Sequence, residues 1–252
     1  MEPAIPRYSR HILLKMIGEG GQARIEKSRV FVAGLGALGS LIATLLARAG
    51  VGFMRIADLD SPELHNLHRQ ILYDEPDVAR GISKAQAAKE RLLAANSGIE
   101  IEAVTATIGP DNIDELVTGV DLVVDALDNM KARYFINDAI IDRGIPYVFG
   151  GAVECAGNVM TIIPGRTPCL RCLWPNPDAV EGHPRASDVG ILSSAATTVA
   201  SIQVTEAIKI LVGSLDNILP GLLVMDFWRN QFQLCEIKPD PTCTCNGAAK
   251  RK

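Results

Sequence analysis

The sequence has no long hydrophobic run, no excess of basic residues and no internal repeat. No apolar stretch reaches the roughly 20 residues that a membrane-spanning helix needs. With 25 Lys and Arg against 29 Asp and Glu, the net charge is −4, which argues against nucleic acid as a partner. The amino terminus lacks a charged segment followed by an apolar core, so no secretory signal is predicted and the cytoplasm is the expected compartment.

A glycine-rich turn between a predicted strand and a predicted helix is the first functional signal. The apolar run Arg29–Ala33 is typical of a buried parallel strand, and Ser40–Ala49 is typical of a helix that ends at Gly50. The turn between them carries Gly34, Gly36 and Gly39. Such a turn lets the backbone approach a phosphate, and an acid about 20 residues on binds the ribose. Asp58 follows Gly34 by 24 positions (58 − 34). A packing turn without a ligand is the alternative.

Charged residues after Asp58 suggest chemistry on a phosphate rather than simple dinucleotide binding. Asp60 adds a second carboxylate on the same face as Asp58, because alternate residues of an extended segment point the same way. One acid can hold the ribose while the other helps to bind Mg²⁺, which prefers carboxylates and substrate phosphates. Arg69 and Lys84 supply positive charge for those phosphates. Individually, Asp60 could instead cap a turn and the two basic residues could be solvated surface charges.

A third acidic position follows the predicted strand at 121–126. Ligands of open α/β sheets bind beyond the carboxyl ends of the strands, and Asp128 falls there, on the same side as Asp58. This placement predicts a magnesium ligand. The alternative is that Asp128 caps the helix predicted at Lys131–Asp142, although Asn129 can perform that role as well.

Six cysteines in a chain expected to be cytosolic favour metal binding, catalysis or core packing over disulfides. Two pairs, Cys169-x-x-Cys172 and Cys243-x-Cys245, together offer the four thiolates that structural zinc prefers. The alternative is a redox-active pair, but Cys169 lacks the βαβ context of a thioredoxin-like motif. Cys155 and Cys235 stand alone in apolar stretches and are predicted to be packing residues.

Taken together, these motifs resemble the MoeB/ThiF/HesA family of adenylyltransferases, bacterial relatives of ubiquitin-activating enzymes. The resemblance spans nearly the whole chain, in the family's order. It rests on the segment Arg7–Leu14, the glycine turn, Asp58-x-Asp60, Asn66-Leu67-x-Arg69-Gln70, Lys84, Asp125-x-x-Asp128-Asn129 and Cys169-x-x-Cys172. It implies an enzyme that uses ATP and Mg²⁺ to convert the C-terminal Gly-Gly carboxylate of a β-grasp, ubiquitin-like sulfur carrier into an acyl-adenylate, with release of pyrophosphate.

The resemblance also implies roles for individual residues. Asp58 is expected to bind the ribose and Asp128 the magnesium. Arg10 is expected to reach the phosphates in the neighbouring subunit's site, which implies a homodimer. The remaining residues expected to contact the nucleotide are Gly34, Gly36, Gly39, Asp60, Asn66, Arg69, Gln70, Lys84 and Asn129; Asn66, Arg69 and Lys84 are assigned to the triphosphate.

Two departures from the family pattern qualify these expectations. The second cysteine pair is CxC, where the family usually has CxxC, and its geometry is tighter. The crossover loop, where several members carry a cysteine that links covalently to the carrier, has none over 181–190, and Ala186 falls about where one is expected. The enzyme is therefore expected to stop at the adenylate. His183 in this loop is interpreted as a solvated residue, with a catalytic base as the alternative.

The predicted fold is α/β, a Rossmann-like, doubly wound, mainly parallel sheet with helices on both faces that continues into antiparallel strands in the C-terminal half. Strands are predicted near 29–33, 53–57, 100–105, 121–126, 158–163, 221–226 and 231–237. Helices are predicted near 38–49, 83–95, 111–117, 131–142 and 192–212.

Within a single ThiF-type domain, three parts are expected. Residues 1–27 form a helical arm, with a helix over Tyr8–Ile17 and Gly18, Gly20 and Gly21 in the turn after it. Residues 28–150 form the nucleotide-binding half. Residues 151–252 form the carrier-binding half, with the crossover loop (174–190) and the cysteine pairs.

Other functions compete with adenylation. An NAD-dependent oxidoreductase explains the glycine turn and Asp58, but leaves Asp60, Arg69 and Lys84 without roles. A tRNA-modifying, ATP-dependent cyclase of the same superfamily is disfavoured by the acidic net charge and the CxxC pair. A non-catalytic scaffold is disfavoured by the full set of phosphate-binding residues. The sequence does not identify the carrier, although the missing loop cysteine tilts the choice towards the molybdopterin type over the thiamine type. No rhodanese-like extension is present, so a separate sulfur donor is expected.

Overall fold

The computed structural model describes residues 5–176 and 185–246, which build one eight-stranded sheet. The strands are β1 (Arg29–Ala33), β2 (Phe53–Ala57), β3 (Glu100–Val104), β4 (Leu122–Asp125), β5 (Tyr147–Val153), β6 (Ala156–Ile162), β7 (Leu222–Asp226) and β8 (Gln231–Cys235). Their spatial order is β3-β2-β1-β4-β5-β6-β7-β8. Pairing is parallel from β3 through β5 and antiparallel from β5 to β8.

Ten α-helices occur in the described ranges. They are α1 (Ser9–Ile12), α2 (Gly18–Lys27), α3 (Ala37–Ala49), α4 (Glu75–Arg80), α5 (Lys84–Ala95), α6 (Ile113–Leu116), α7 (Met130–Arg143), α8 (Leu170–Leu173), α9 (Ala186–Val189) and α10 (Ser193–Leu211). None of the helices described is long and apolar enough to cross a membrane.

The sheet has a hydrophobic core on each face, because successive residues of a strand point to opposite sides. In β1, Val30 and Val32 join the core that contains α3, α5 and α10. Phe31 and Ala33 join the other core, which contains α6, α7 and α8. A strand buried on both faces is apolar at every position, which is why β1 lacks a polar–apolar alternation.

The sheet reverses its order between β1 and β4. From β1 the chain proceeds outward to β2 and β3, then returns to place β4 on the other side of β1. The connections leaving β1 and β4 therefore diverge to opposite sides and leave a crevice at their carboxyl ends, the usual ligand position in such sheets. The glycine turn follows β1, and Asp128 follows β4.

The predicted fold class is confirmed, including the change from parallel to antiparallel strands. The predicted helices at 38–49, 83–95, 131–142 and 192–212 correspond to α3, α5, α7 and α10. The predicted boundary between the two halves, at 150/151, falls inside β5, so one strand belongs to both.

The helix bounds predicted within the N-terminal arm are wrong. Instead of a helix over Tyr8–Ile17, α1 ends at Ile12 and α2 begins at Gly18, so Gly20 and Gly21 lie inside a helix and not in a turn. The reason is tertiary packing. A Cβ on Gly21 would lie 3.2 Å from Cγ2 of Ile17 and 3.3 Å from Cγ1 of Val212, so the missing side chain permits a close approach.

The helix predicted at 111–117 is shorter than expected, because its first residues form a turn. Oδ1 of Asn112 accepts a hydrogen bond from the Gly109 N–H, and Nδ2 donates to the Thr107 carbonyl. A side chain that bonds to nearby backbone competes with the helix. Part of the predicted crossover loop, residues 177–184 with His183, lies outside the described residues.

Candidate nucleotide site and cysteine cluster

The glycines of the turn after β1 serve two different purposes. Gly34 has φ of +93°, and a Cβ on it would lie 2.8 Å from the Ala126 carbonyl oxygen. A Cβ on Gly39 would lie 2.0 Å from the Gly34 carbonyl oxygen. These two glycines are required by the packing of the turn. A Cβ on Gly36, in contrast, would meet only Nε2 of Gln70, at 3.8 Å, so Gly36 faces open space. No side chain caps the adjoining N-terminus of α3, whose N–H groups suit an anion.

Asp58, at the end of β2, is tied to the glycine turn. Its Oδ2 accepts a hydrogen bond of 2.7 Å from the Leu35 N–H, and its Oδ1 accepts one of 2.9 Å from the Asp60 N–H. Burial raises the pKa of Asp58, while the nearby charge of Lys84 opposes that shift. Each carboxylate oxygen keeps a second lone pair, so Asp58 can also accept hydrogen bonds from ribose hydroxyls.

Lys84 and Asp60 form an ion pair beside Asp58. Nζ of Lys84 lies 3.0 Å from Oδ2 of Asp60; the lysine side chain is 6% exposed and the aspartate 69% exposed. Asp60 therefore contacts a cation already present in the chain. Tyr73, which the sequence analysis missed, supports this arrangement: its hydroxyl donates to the carbonyls of Leu35 at 3.0 Å and Lys84 at 3.4 Å. No pattern in the sequence around Tyr73 indicates this role.

The segment Asn66–Gln70 has two buried amide side chains and one cation. Oδ1 of Asn66 accepts from the Glu63 N–H and closes a turn. Arg69 forms no ion pair with a described residue; one of its Nη atoms donates to the His65 carbonyl at 2.8 Å. Oε1 of Gln70 is buried without a hydrogen-bond partner among the described residues. A buried polar atom beside the open space at Gly36 is suited to a ligand group.

Asp128 and Asn129, in the connection from β4 to α7, have separate roles. Oδ1 of Asn129 accepts a hydrogen bond of 2.9 Å from the Ala132 N–H and caps α7. The alternative role for Asp128 as the cap is therefore wrong. Asp128 is exposed, and within the described ranges it pairs with no cation; Nδ2 of Asn129 lies 3.5 Å from its Oδ1. Its carboxylate is thus available to a metal ion at the crevice.

A buried ion pair lies beneath Asp128. Asp125 is fully buried at the end of β4, and its Oδ2 accepts from Nε of Arg133 at 2.8 Å. Burial raises the pKa of Asp125, while the Arg133 charge and the hydrogen bond from the Leu127 N–H oppose that shift. Arg133 was not among the site residues predicted from the sequence. The pattern that could have indicated its pairing is an arginine on the apolar side of α7, eight positions after a buried aspartate.

Arg10 lies far from the glycine turn of its own chain. It is exposed on α1, two residues after Tyr8, which packs against Gly50 and accepts from Nδ2 of Asn96 at 2.9 Å. Gly50 follows the C-terminus of α3, whereas the glycine turn adjoins its N-terminus. A helix of 13 residues is roughly 20 Å long, so Arg10 and the turn are at opposite ends of α3.

The four predicted zinc ligands come together. All four sulfur atoms, of Cys169, Cys172, Cys243 and Cys245, lie within 4.8 Å of one another. Sγ of Cys169 is 3.5 Å from that of Cys243, and Sγ of Cys172 is 3.4 Å from that of Cys245. Tetrahedral zinc with bonds of about 2.3 Å separates sulfurs by about 3.8 Å, so the CxC pair completes a set of donors that can hold a metal ion.

The surroundings of the cluster affect the ionisation of its thiols differently. Burial raises the pKa of the Cys169 thiol to about 11 and raises that of Cys245 further. For Cys172, burial is outweighed by hydrogen bonds from backbone N–H groups, and the pKa is lowered. A bound metal ion stabilises thiolates that such a buried site otherwise disfavours.

The sequence matches the model of the ThiF family over residues 8–246. It is 40% identical over 243 residues to the sulfur carrier protein ThiS adenylyltransferase of Bacillus subtilis (strain 168), covering 95% of this chain and 71% of that protein. It is 36% identical over 243 residues to the SAMP-activating enzyme E1 of Haloferax volcanii, covering 96% of this chain and 89% of that protein. With the adenylyltransferase and sulfurtransferase MOCS3 of Culex quinquefasciatus it shares 37% identity over 235 residues, but it spans only 53% of that longer protein.

Among solved structures, the fold is similar to that of E. coli MccB crystallised with ATP. The TM-score is 0.84 at 22% sequence identity, with 98% of this chain and 75% of that chain covered. At this level of identity the similarity establishes the fold alone.

Proposed function

Because the chain belongs to the ThiF family, we propose that it is an ATP-dependent adenylyltransferase that activates the C-terminal carboxylate of a ubiquitin-like sulfur carrier. The observation that carries the proposal is the convergence at the β1/β4 crevice. There an open glycine and the N-terminus of α3 follow β1, Asp58 follows β2 and the exposed Asp128 follows β4. Lys84, paired with Asp60, adds a positive charge beside Asp58. The hypothesis of an oxidoreductase assigns no role to the charged residues other than Asp58, namely Asp60, Arg69, Lys84 and Asp128.

The reaction joins a carboxylate to a nucleotide. A carboxylate oxygen of the carrier attacks the α-phosphorus of ATP, and the bond from that phosphorus to the bridging oxygen breaks. Pyrophosphate leaves with the electron pair, and the products are the acyl-adenylate and pyrophosphate. Catalysis of this kind depends mainly on positioning and on stabilising the charge of the phosphate oxygens.

The glycine turn and the basic residues bind the phosphates. Gly36 leaves room for a phosphate against the backbone, and the N-terminus of α3 directs N–H groups towards it. Lys84 is held beside the turn by Asp60, and Arg69 has a guanidinium without a carboxylate partner among the described residues. Asn66 and Gln70 complete this side, and Asp58 accepts the ribose hydroxyls.

Asp128 is the magnesium ligand in this proposal. An exposed carboxylate at the crevice fits Mg²⁺, which is commonly held by one or two carboxylates together with phosphate oxygens. When bound, magnesium neutralises phosphate charge. Asn129 supports Asp128 by capping α7, which leaves the neighbouring carboxylate uncommitted.

Arg10 serves a neighbouring subunit in this proposal, so the active enzyme is a homodimer. Its position at the opposite end of α3 from the glycine turn argues against a role in its own chain's site. The exposed apolar residues Leu13 and Met16, 70% and 74% exposed, flank it on the same arm and are suited to a protein contact.

Zinc is the proposed metal of the four-cysteine cluster, where it closes a structural site. All four positions of the tetrahedron are filled by the chain, which distinguishes such a site from a catalytic one. The expected zinc role is therefore stability, and sulfur chemistry is assigned to a separate donor protein. The absence of a cysteine over 181–190 supports an enzyme that ends its work at the adenylate.

The decisive experiment is carrier-dependent exchange of radiolabelled pyrophosphate into ATP. Candidate carriers ending in Gly-Gly, of both the molybdopterin and the thiamine type, are tested with matched forms that lack the last glycine. We expect exchange with one intact carrier and none with its truncated form. ATP binding without exchange for any carrier would refute carrier adenylation, and binding of NAD instead of ATP would restore the oxidoreductase hypothesis.

A further inference from the structure

One buried ion pair holds both the N–H and the carbonyl of Leu127, the residue that precedes Asp128. Oδ1 of Asp125 accepts a hydrogen bond of 2.8 Å from the Leu127 N–H. Nη2 of Arg133 donates to the Leu127 carbonyl oxygen at 2.5 Å, and Nε of Arg133 donates to Oδ2 of Asp125 at 2.8 Å. The carbonyl of Leu127 belongs to the same peptide group as the nitrogen of Asp128. Its orientation therefore fixes the direction in which Asp128 leaves the loop.

The ion pair is anchored to the rest of the sheet. Nη2 of Arg133 also donates to the Gly150 carbonyl at 2.8 Å, in β5. Nε2 of Gln203, fully buried on α10, donates to the Asp125 carbonyl at 2.7 Å. Hydrogen bonds thus connect the Asp128 loop to β4, β5 and α10. It also touches the glycine turn, because the Ala126 carbonyl oxygen occupies the space a Cβ on Gly34 would need.

Four of the five guanidinium N–H donors of Arg133 have partners within the protein. Arg133 is 8% exposed, and its guanidinium donors are directed at Asp125, at two backbone carbonyls and at Sδ of Met130. A buried ion pair alone is weak support for stability, because apolar residues of similar volume often stabilise a protein as well. What this pair does, and what an apolar pair cannot do, is fix the two polar atoms of the Leu127 backbone.

We infer that Arg133, held by Asp125, is a positioning residue that sets the affinity of the Asp128 site for magnesium. This inference rests on the proposed function. The Asp128 carboxylate is exposed and makes no ion pair within the described residues, so its geometry depends on the backbone beneath it. Mg²⁺ demands near-ideal octahedral geometry at about 2.0–2.1 Å, so a small rotation of the preceding peptide lowers affinity. Partners that orient metal ligands typically contribute about 10- to 100-fold in metal affinity.

The test compares Arg133→Lys with the wild type in carrier-dependent pyrophosphate exchange, titrated with Mg²⁺ at saturating ATP. Lysine keeps the charge beside Asp125 but lacks the planar fork that reaches the two carbonyls. We expect the half-saturating Mg²⁺ concentration to rise by about tenfold or more. ATP binding measured in EDTA should stay within about twofold of wild type, because Arg133 does not contact the nucleotide. Arg91→Lys is the control, since Arg91 is likewise held in ion pairs, with Asp74 and Asp77, but lies away from the crevice.

A second variant guards against simple loss of the fold. Asp125→Asn combined with Arg133→Met leaves no unpaired buried charge and keeps an acceptor for the Leu127 N–H, but removes the donor to the Leu127 carbonyl. The same rise in half-saturating Mg²⁺ is expected. If either variant folds and titrates like wild type, or if neither variant folds while Arg91→Lys does, the positioning role is overturned. Failure of the wild type to exchange would instead refute the proposed function.

Discussion

The β1/β4 crevice and the cysteine cluster are assembled in opposite ways. At the crevice, the glycine turn, Asp58 and Asp128 follow the ends of β1, β2 and β4, and neighbouring loops are joined by hydrogen bonds such as that from the Leu35 N–H to the Asp58 carboxylate. At the cluster, two short cysteine pairs separated by about 70 residues meet through their side chains; the sulfurs of Cys169 and Cys243 are 74 positions apart in sequence. The crevice is thus organised by the sheet, whereas the cluster lies where two chain segments are brought together.

We therefore expect mutations at the crevice to affect activity and mutations at the cluster to affect stability. A site organised by a buried sheet can lose one functional side chain and keep its shape, so its mutants should be folded and inactive. A site closed by a metal ion between distant segments contributes folding energy directly. Its mutants should be less stable, with activity lost only when the fold is lost.

The largest expected effect is on the crevice. Asp128→Asn or Arg69→Ala should lower pyrophosphate exchange by about 100- to 1000-fold or more, because each removes a charge that acts on the phosphates. The melting temperature should stay near the wild-type value, since neither side chain pairs with a described carboxylate or cation. Both quantities are measured on the same preparations.

The surface pair of Arg166 and Asp216 supplies controls for both variants. Asp216→Asn and Arg166→Ala remove the same charges at a distance from the crevice, and near-normal exchange is expected from each. Near-normal turnover of Asp128→Asn or Arg69→Ala would refute the site assignment.

Removal of the metal from the cysteine cluster should have the opposite effect, a loss of stability without a direct loss of activity. A strong chelator is expected to release about one zinc ion per chain and to lower the free energy of unfolding by about 4 kcal/mol or more, a size associated with loss of a bound metal. Once the chelator is removed and Mg²⁺ is supplied, exchange should persist at temperatures where the zinc-free protein is still folded. Metal content by elemental analysis and the melting curve check this prediction.

Cys155→Ser and Cys235→Ser are the matched controls for substitutions in the cluster, because neither residue belongs to it. They should leave metal content unchanged, whereas Cys243→Ser should reduce it. An unchanged melting curve after complete metal removal would contradict a structural role for the cluster.

Within the crevice, two glycine variants should distinguish a glycine needed for the packing of the turn from a glycine that leaves room for the ligand. Gly39→Ala places a Cβ 2.0 Å from the Gly34 carbonyl oxygen and should cost about 1–3 kcal/mol of stability. Gly36→Ala meets only the end of Gln70 at 3.8 Å, so its stability should be near wild type while ATP binding weakens. Chemical denaturation and calorimetric ATP titration measure the two effects. Equal stability of the two variants would show that the turn can rearrange.

The smallest expected effect concerns Asn129. Asn129→Ala removes the cap of α7 and should cost about 1 kcal/mol. Asn129→Asp keeps a capping oxygen and should restore the stability. If Asn129→Ala instead abolished ATP binding at unchanged stability, Asn129 would be a direct nucleotide ligand rather than a cap.

Much of the fold was predictable because its signals are local. A continuous apolar run such as Arg29–Ala33 predicts a strand buried on both faces, and glycine at the end of α3 predicts where the helix stops. The arm was not predictable from such signals. Gly21 permits close contact with Val212, about 190 residues away in sequence, and local patterns carry no information on that contact.

The candidate site divides in the same way. Asp58 and Asp128 could be selected from spacing, since strand ends supply ligand-binding positions. Tyr73 and Gln203 could not be selected, because their partners are backbone atoms of other elements. A hydrogen bond to a distant carbonyl depends on where the chain folds and leaves no trace in the neighbouring residues.

The sequence by itself determined the order of the elements, the residue types at each strand end and the presence of four thiols in two pairs. The tertiary structure alone decided which of these meet. It assigned the cap of α7 to Asn129, freed Asp128, and showed that CxC faces CxxC at ligand distance. The physical reason is that spacing along a chain fixes local geometry within a few residues, whereas contact between distant segments depends on the packing of the whole sheet and its helices.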